Sequence, residues 1–534
     1  MTIFRCRYPD VKIRDDVTYH DYVMENLDEY GDDILLVDGI TGRSYTARQL
    51  KALVRRVGSA LTRRGFKRRD VFCVFTPNLP EFAIIQLAVI SIGGILTTAN
   101  PLYTPGELSR QLADSTAKYI ITIPMFADTV NKAAENYGKL QAKYVFGEAD
   151  GFKPFTELMQ DDGSAFPTNL KFNPKEDIAL LPYSSGTTGV PKGVMLTHYS
   201  LVANYTQIDH APFRDTNSVR RSTVLILPLF HLYGIMVIAG SIRNGTKVVT
   251  LPRFEQEQYL RAVEKYRASS LNLVPPLVLF LAKSPLVSNY DLSCVEELGS
   301  GAAPLGKELT DELIKRLGGN KTLRQGYGLT ETSPVVTTSP RDKFKYGSAG
   351  MIIPNTEIKF VDISNGRELG VNEDGELWCR GPQNMKGYWN RPDATATTLD
   401  KNGWLHTGDI GHIDEDGCVF IVDRLKELIK YKGFQVPPAE LEALLIAFEG
   451  VADVAVIGVP DLEAGELPRA YIVKKPGAEL SEETVKKFIA RECAPHKRLR
   501  GGVRFVSEIP KSPSGKILRR LLRDQLKQEM KAKL

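Results

Sequence analysis

The chain has 534 residues, 43% apolar and 25% charged, the proportions of a globular protein with enough core for several compact units. A net charge of +5 spread over this length argues against a polyanionic partner such as nucleic acid. The six cysteines show neither a CxxC pair nor zinc-ligand spacing, so they read as reduced thiols rather than a disulfide frame.

Arg5, Arg7, Asp10, Lys12 and Arg14 fill the place an apolar signal segment would need, so no such segment is expected. From residue 18 to about 175, amphipathic helical stretches alternate with short β-branched runs. Thr46 opens a helix that ends between Gly58 and Gly65, and residues 71–75 and 119–123 read as buried strands. Residues 82–98 are the most apolar stretch, interrupted by Gln86, Ser91 and Gly93-Gly94. They fall short of the roughly 20 residues of a membrane span and read as a buried helix. Strand and helix alternating at this spacing predict a doubly wound parallel sheet.

The run at residues 178–182 is a buried strand, and a helical pattern begins near Thr197. Between them lies Tyr183-Ser184-Ser185-Gly186-Thr187-Thr188-Gly189-Val190-Pro191-Lys192-Gly193, which reads as a strand-to-helix turn suited to phosphate. Glycines let backbone N–H groups approach an anion, hydroxyls add neutral donors, and Lys192 adds charge. The order departs from GxxxxGK[ST], because Pro191 stands where that motif has glycine. On composition alone the stretch is also a flexible surface loop.

The strand and helix pattern resumes at residues 223–227, 247–250 and 270–274, and residues 224–242 read as strand, turn and helix. Either two large sheets or one very large one is needed. After Ser348 the texture changes to short β-rich segments at 357–361, 375–379 and 419–422, which suit a small barrel or a distorted sheet. The charged segment Asp423-Arg424-Leu425-Lys426-Glu427 is the expected linker. An α+β unit follows, with a helix from Pro438, strands at 454–457 and 470–473, and a basic helix over residues 518–530. The boundaries are therefore an N-terminal domain at 1–423 and a C-terminal domain at 424–534. Arg519, Arg520, Arg523, Lys527, Lys531 and Lys533 are expected to form a solvated face.

The string SSGTTGVPKGV resembles the phosphate-loop signature of the acyl-adenylate-forming superfamily, which includes acyl-CoA synthetases, 4-coumarate-CoA ligases and insect luciferases. Further matching strings follow in that superfamily's order: residues 325–332 (QGYGLTET), 403–409 (GWLHTGD), 423–430 (DRLKELIK) and 513–516 (PSGK). The resemblance implies an α/β fold, with a large N-terminal domain of doubly wound sheets, a small β-barrel-like subdomain, and a small mobile α+β C-terminal domain. It implies ATP, CoA and Mg²⁺ as cofactors and a carboxylic acid as substrate.

The chemistry explains the parts required. A carboxylate resists attack by a thiol until its oxygen is carried off on a good leaving group, which transfer to the α-phosphate of ATP provides. Two anions must then be held together and the charge at phosphorus stabilised. By resemblance Ser184, Ser185, Gly186, Thr187, Thr188, Gly189 and Lys192 cradle phosphates. Thr330 reaches the α-phosphate, Glu331 binds Mg²⁺, and Tyr327, between Gly326 and Gly328, lies beside adenine. Asp409 accepts the ribose hydroxyls, a task suited to the two oxygens of a carboxylate. Arg424 reaches ribose or phosphate, and Lys516 bridges the carboxylate and the α-phosphate.

Taken alone, Thr330-Glu331 also reads as a helix N-cap, Gly408-Asp409 as a turn, Arg424 as a solvated linker arginine, and His231 as a core histidine. The resemblance places His231, Tyr233, Val237, Gly301, Ala302, Ala303, Gly326, Pro334 and Val335 around the acyl group. Being mostly small or apolar, they favour an aromatic or aliphatic acid over an amino acid. Lys426 matches a hinge, and Lys430, Lys432, Gly433 and Gln435 match the face used with CoA in the second step. Two lysine-bearing turns on one small domain imply two poses.

The reading is an ATP-dependent carboxylate-CoA ligase of the 4-coumarate kind. Medium- or long-chain fatty acids, or a luciferase-type oxidation of the same adenylate, are the alternatives. The ending Ala532-Lys533-Leu534 resembles a peroxisomal import tripeptide, so import by its receptor is expected, with cytoplasmic residence as the alternative.

Overall fold

The computed structural model describes the chain apart from residues 1, 185–190, 211, 215–220, 302–304, 306, 320, 342, 433, 462, 513–514, 516 and 532–534, and describes only the backbone at 308, 322, 435, 530 and 531. Two large sheets account for most of it. The first runs in the order Gly387–Tyr388, Lys192–Thr197, Ile178–Ser184, Ile95–Thr98, Val71–Val74, Tyr119–Thr122, Ala142–Val145, Lys153–Pro154. It is parallel from Ile178–Ser184 onward. The second places Thr322–Gly328, Glu297–Ser300, Ser270–Leu273, Ser222–Leu225, Lys247–Thr250 and Ile34–Asp38 side by side and parallel, with antiparallel strands at both ends. Helices cover both faces of parallel sheets, so Val71–Val74, Ile95–Thr98, Tyr119–Thr122 and Ser222–Leu225 are buried along their whole length.

Local sequence explains the boundaries. Thr46 caps helix Ala47–Arg63 by accepting from Gln49 N–H, and the Gln49 side chain returns the bond. Residues 82–98 are not one helix. They divide into helix Glu81–Ser91, buried on every face, and strand Ile95–Thr98. Gly93, at φ +80°, makes the left-handed turn between them.

A five-stranded antiparallel sheet follows in the order Phe4–Arg5, Glu357–Val361, Gly375–Arg380, Leu405–Ile413, Val419–Arg424. One continuous apolar core contains residues of this sheet and of both large sheets. Separate cores lie beyond it, one drawing on residues from Ile429 to Val503 and one on residues from Ala455 to Leu526. The last strand runs through Asp423 and Arg424, and the buried Asp423 carboxylate accepts from the N–H groups of Arg424 and Ala439. The segment expected to be a solvated linker is thus partly strand, and only the turn after it is free of a sheet.

Helix Arg519–Lys531 also departs from expectation. Arg519 and Arg523 are not solvated. Arg519 donates to Glu442 at 2.6 Å and Arg523 to Glu427 at 2.6 Å, which fastens the last helix to helix Pro438–Ala447 and to the turn after Arg424. All six cysteines are free thiols. No helix among the described residues is long and apolar enough to cross a membrane.

Where the first sheet meets helix His198–Ile208, two histidines are buried together. His198 Nδ1 accepts from the Tyr19 N–H at 3.1 Å, and the rings of His20 and His198 lie 5.9 Å apart against Phe172. Burial holds His198 down at about 3, with His20 adding repulsion, and holds His20 down at about 4. Between those values and the usual 6.5 the unfolded chain binds protons that the native state refuses, so stability falls as pH drops below about 6.5. Each histidine is expected to contribute a slope of about 1 kcal/mol per pH unit. His198→Asn keeps an acceptor for Tyr19, and denaturant midpoints measured from pH 7.5 to 5 should show a shallower acid limb by about one proton.

Candidate active site

The phosphate-loop stretch lies between two strands rather than between a strand and a helix. Ile178–Ser184 and Lys192–Thr197 are antiparallel, with Ser184 opposite Lys192, and helix His198–Ile208 starts only after Thr197 caps it. Lys192 and Gly193, expected in a turn that leads into a helix near Thr197, instead open a strand. The strand forms because it is paired on both sides. Its other neighbour is Gly387–Tyr388, with Val194 opposite Tyr388 and the Trp389 N–H donating to Gly193 C=O at 2.8 Å. Ser185, Gly186, Thr187, Thr188 and Gly189 lie outside the described residues, as do Ala302, Ala303, Gly433, Lys516 and the terminal tripeptide.

Lys192 and Glu331 approach the same side chain. The Lys192 ammonium stands 4.9 Å from the centre of the Tyr388 ring, and the Tyr388 hydroxyl donates to Glu331 Oε1 at 2.9 Å. Glu331 sits in the one-turn helix Thr330–Thr332, whose N-cap is Leu329 rather than Thr330, and is buried. Its backbone C=O accepts from the Met385 N–H at 2.8 Å.

On the opposite flank, the Tyr327 hydroxyl donates to Asp409 Oδ2 at 2.7 Å, and Arg424 Nε lies 3.2 Å from Oδ1. Asp409 is buried on strand Leu405–Ile413, and its N–H donates to Thr407 Oγ1. Arg424 is therefore a paired strand residue, not a solvated one. Burial pushes the Tyr327 phenol well above its usual range, with the Asp409 charge adding to the effect, so it remains a donor.

Gly326 precedes Tyr327 on strand Thr322–Gly328, where a Cβ would sit 3.2 Å from Thr337 O of the strand paired with it. Tyr233, expected at the acyl group, lies in the first turn of helix Leu232–Arg243, which follows His231 at its N-cap, with Val237 one turn later. A Cβ on Gly301 would sit 3.4 Å from the Tyr233 ring, and one on Gly299 would sit 3.4 Å from Asn272 Oδ1 and 3.9 Å from Tyr233 Oη. The two glycines thus leave a methyl-sized hollow beside an amide and a phenol. Burial pushes that phenol up to about 12.

The loop before His231 is fastened by Asn78, which donates to Leu227 C=O and accepts from the Leu229 N–H, and by Thr98, which donates to Phe230 C=O. Asn204 brackets Val335 with one bond in each direction, and Pro334 C=O accepts from the Leu329 N–H. Asn78, Asn204, Asn272 and Tyr388 escaped the sequence reading because each acts on residues far away in the chain and none carries a local pattern.

In the C-terminal unit, Lys430 and Lys432 occupy the hairpin of Ile429–Tyr431 and Phe434–Val436, whose second strand contains Gln435. Glu466 accepts from the Lys430 N–H, and Ala464 C=O accepts from the Lys432 N–H. Lys426 is exposed in the preceding turn. Gly515 lies elsewhere. A Cβ on it would meet Pro276 at 2.9 Å and Val274 at 3.7 Å. That junction adjoins the hollow, since the Gly301 N–H donates to Leu273 C=O. The turn next to Lys516 and the Lys430 hairpin therefore address different places.

The family model for AMP-binding enzymes matches residues 23–389, and that for the AMP-binding enzyme C-terminal domain matches residues 440–516. The chain belongs to the AMP-binding enzyme family. It is 44% identical to 4-coumarate--CoA ligase 1 of Solanum tuberosum, over 98% of this chain and 96% of that one, and 43% identical to 4-coumarate--CoA ligase 3 of Arabidopsis thaliana, over 98% and 94%. The fold matches ATP-bound MatB from Rhodopseudomonas palustris with a TM-score of 0.83 at 27% identity, covering 95% of this chain and 99% of that one. It matches the anthranilate CoA ligase AuaEII in complex with anthranoyl-AMP with a TM-score of 0.86 at 25% identity, covering 96% and 98%.

Gly328 shows how tightly the strand carrying Tyr327 is built. A Cβ there would fall 1.7 Å from Pro334 O, so Gly328→Ala must push apart the segments that carry Tyr327 and Val335. The expected loss is about 2 kcal/mol or more, read as a lowered thermal midpoint together with weakened AMP binding by calorimetry.

Proposed function

We propose that this chain is an ATP-dependent carboxylate-CoA ligase working through an acyl-adenylate, and that its acid is aromatic and carries a polar ring substituent. The carrying observation is the division of labour on strand Thr322–Gly328. Tyr327 is bonded to the Asp409–Arg424 pair, and Gly326 beside it is the position that the family resemblance assigns to the acyl group. Nucleotide and acid are thereby held side by side, which converts a bimolecular encounter into a positioned one.

A carboxylate oxygen attacks the α-phosphorus and pyrophosphate leaves. The CoA thiol then loses its proton and attacks the carbonyl carbon, and AMP leaves. Asp409 accepts from the ribose hydroxyls with the lone pairs that Tyr327 and Arg424 do not use. Ser184, Lys192 and the hydroxyl-rich loop between them take the outer phosphates, and Thr330 takes the α-phosphate. Lys516 supplies the charge that grows useful as the anhydride forms.

A single buried carboxylate, Glu331, beside a phosphate site is the donor set Mg²⁺ favours when the substrate's phosphates complete its shell. Mg²⁺ held there by Glu331 would neutralise charge on the triphosphate. The amide of Asn272 and the hydroxyl of Tyr233 beside the hollow support a polar ring substituent over a fatty chain. Similarity to 4-coumarate–CoA ligases supports the same reading.

The contact of Gly515 with Pro276 supports a pose in which Lys516 serves adenylation, with Lys430 and its hairpin serving thioester formation in another. Incubation with ATP, Mg²⁺, CoA and a panel of hydroxycinnamic, medium-chain and long-chain acids should yield acyl-CoA, AMP and pyrophosphate, most readily from the first group. ADP and phosphate as products would overturn the adenylate route, and EDTA should abolish turnover. Lys516→Ala should slow adenylate formation by about a hundredfold or more while still converting supplied acyl-adenylate to thioester. Lys430→Ala should show the opposite bias, and equal loss of both steps in both variants would reject the two-pose account.

A further inference from the structure

We propose that Tyr388 is a positioning residue for the metal-bearing triphosphate, aiming the Glu331 carboxylate through its hydroxyl while its ring and backbone hold Lys192. The inference rests on Glu331 being the metal-facing group of the site described above.

The geometry is specific. Tyr388 and Glu331 are 5% and 6% exposed, so their 2.9 Å bond is shielded from water. A buried carboxylate is costly unless it is hydrogen-bonded, and before a cation arrives Tyr388 meets that need at Oε1. Occupying Oε1 restricts rotation of the carboxylate and leaves Oε2 to accept from a cation. A phenol is protonated throughout the neutral range, so the hydroxyl is available to donate.

Tyr388 is itself anchored at several points. Its N–H donates to Thr395 Oγ1 at 2.9 Å, and its strand pairs with Lys192–Thr197 in the register Val194 to Tyr388. The face of its ring receives the Lys192 ammonium at 4.9 Å, a cation–π contact. One side chain therefore sets both the anion that meets the metal and the cation at the foot of the phosphate loop.

The test compares ATP binding to the full-length chain by titration calorimetry, with Mg²⁺ and with EDTA. Tyr388→Phe keeps the ring and the ladder and removes only the hydroxyl. Its metal-free affinity should stay within about twofold of wild type, while the strengthening that Mg²⁺ brings should fall about tenfold, the usual scale for losing a hydrogen bond to a charged group. Its thermal midpoint without nucleotide should fall modestly, since Glu331 loses its partner, and the Mg²⁺ increment is the readout that a merely structural role would not move. Equal weakening with and without Mg²⁺, or no weakening at all, would overturn the proposal. Glu331→Gln, which still accepts from Tyr388, is the second variant. It should lose the Mg²⁺ increment and keep metal-free binding, and adding Tyr388→Phe to it should change the increment no further. Additive effects would overturn the coupling. A wild-type chain whose ATP affinity ignores Mg²⁺ would overturn the assignment of Glu331 together with this proposal. Product analysis with CoA tests the ligase reading separately.

Discussion

The site depends on the pairing of one short strand. Lys192–Thr197 lies between Ile178–Ser184 and Gly387–Tyr388, so backbone hydrogen bonds join two parts of the chain almost two hundred residues apart. Ladder bonds are cooperative and nearly unstretchable compared with side-chain contacts. The foot of the phosphate loop is consequently placed by the same rigid sheet that carries the central parallel strands. Glu331 enters this arrangement from the second sheet and is tied in twice, through Tyr388 and Met385.

A similar economy operates around Asp409. Asp409 comes from the five-stranded sheet, Tyr327 from the second large sheet and Arg424 from the strand next to Asp409. Three elements meet at one buried carboxylate, and each partner stabilises its charge against the loss of water. Because a common apolar core underlies all three sheets, displacement of any one would expose both apolar surface and an unpaired ion. Such coupling keeps a binding site accurate to the fraction of an ångström that catalysis needs.

Much of this was legible in the sequence, for identifiable reasons. Parallel strands covered on both faces announce themselves as apolar runs, which is why Val71–Val74, Tyr119–Thr122 and Ser222–Leu225 could be located from residue type alone. Caps such as Thr46 with Gln49 mark helix starts locally. Pairing partners leave no such trace. Nothing near Lys192 reveals that Gly387–Tyr388 will lie beside it, and so a strand was mistaken for a turn. The glycine pair at 93 and 94 did carry the signal that divides residues 82–98, but strong hydrophobicity on both sides masked it. In helix Arg519–Lys531 a row of positive charges looked solvated because the acids that meet it, Glu442 and Glu427, lie some eighty to a hundred residues earlier. Motifs point to Lys192, Tyr327, Glu331 and Asp409 from sequence alone, whereas Tyr388, which meets two of them, carries no local pattern.

The contact between Gly515 and Pro276 has a consequence for reversibility. It joins a glycine backbone to the edge of a proline ring, a small apolar touch without charge pairing or buried hydrogen bonds between the two groups. Such a contact separates without stranding a polar group, so the energy lost on parting is modest. Glycine at φ +78° also gives the turn a shape few other residues hold without strain. The joint is thus selective in form and weak in strength, and it can open without stranding a charge or a buried hydrogen bond between these two groups.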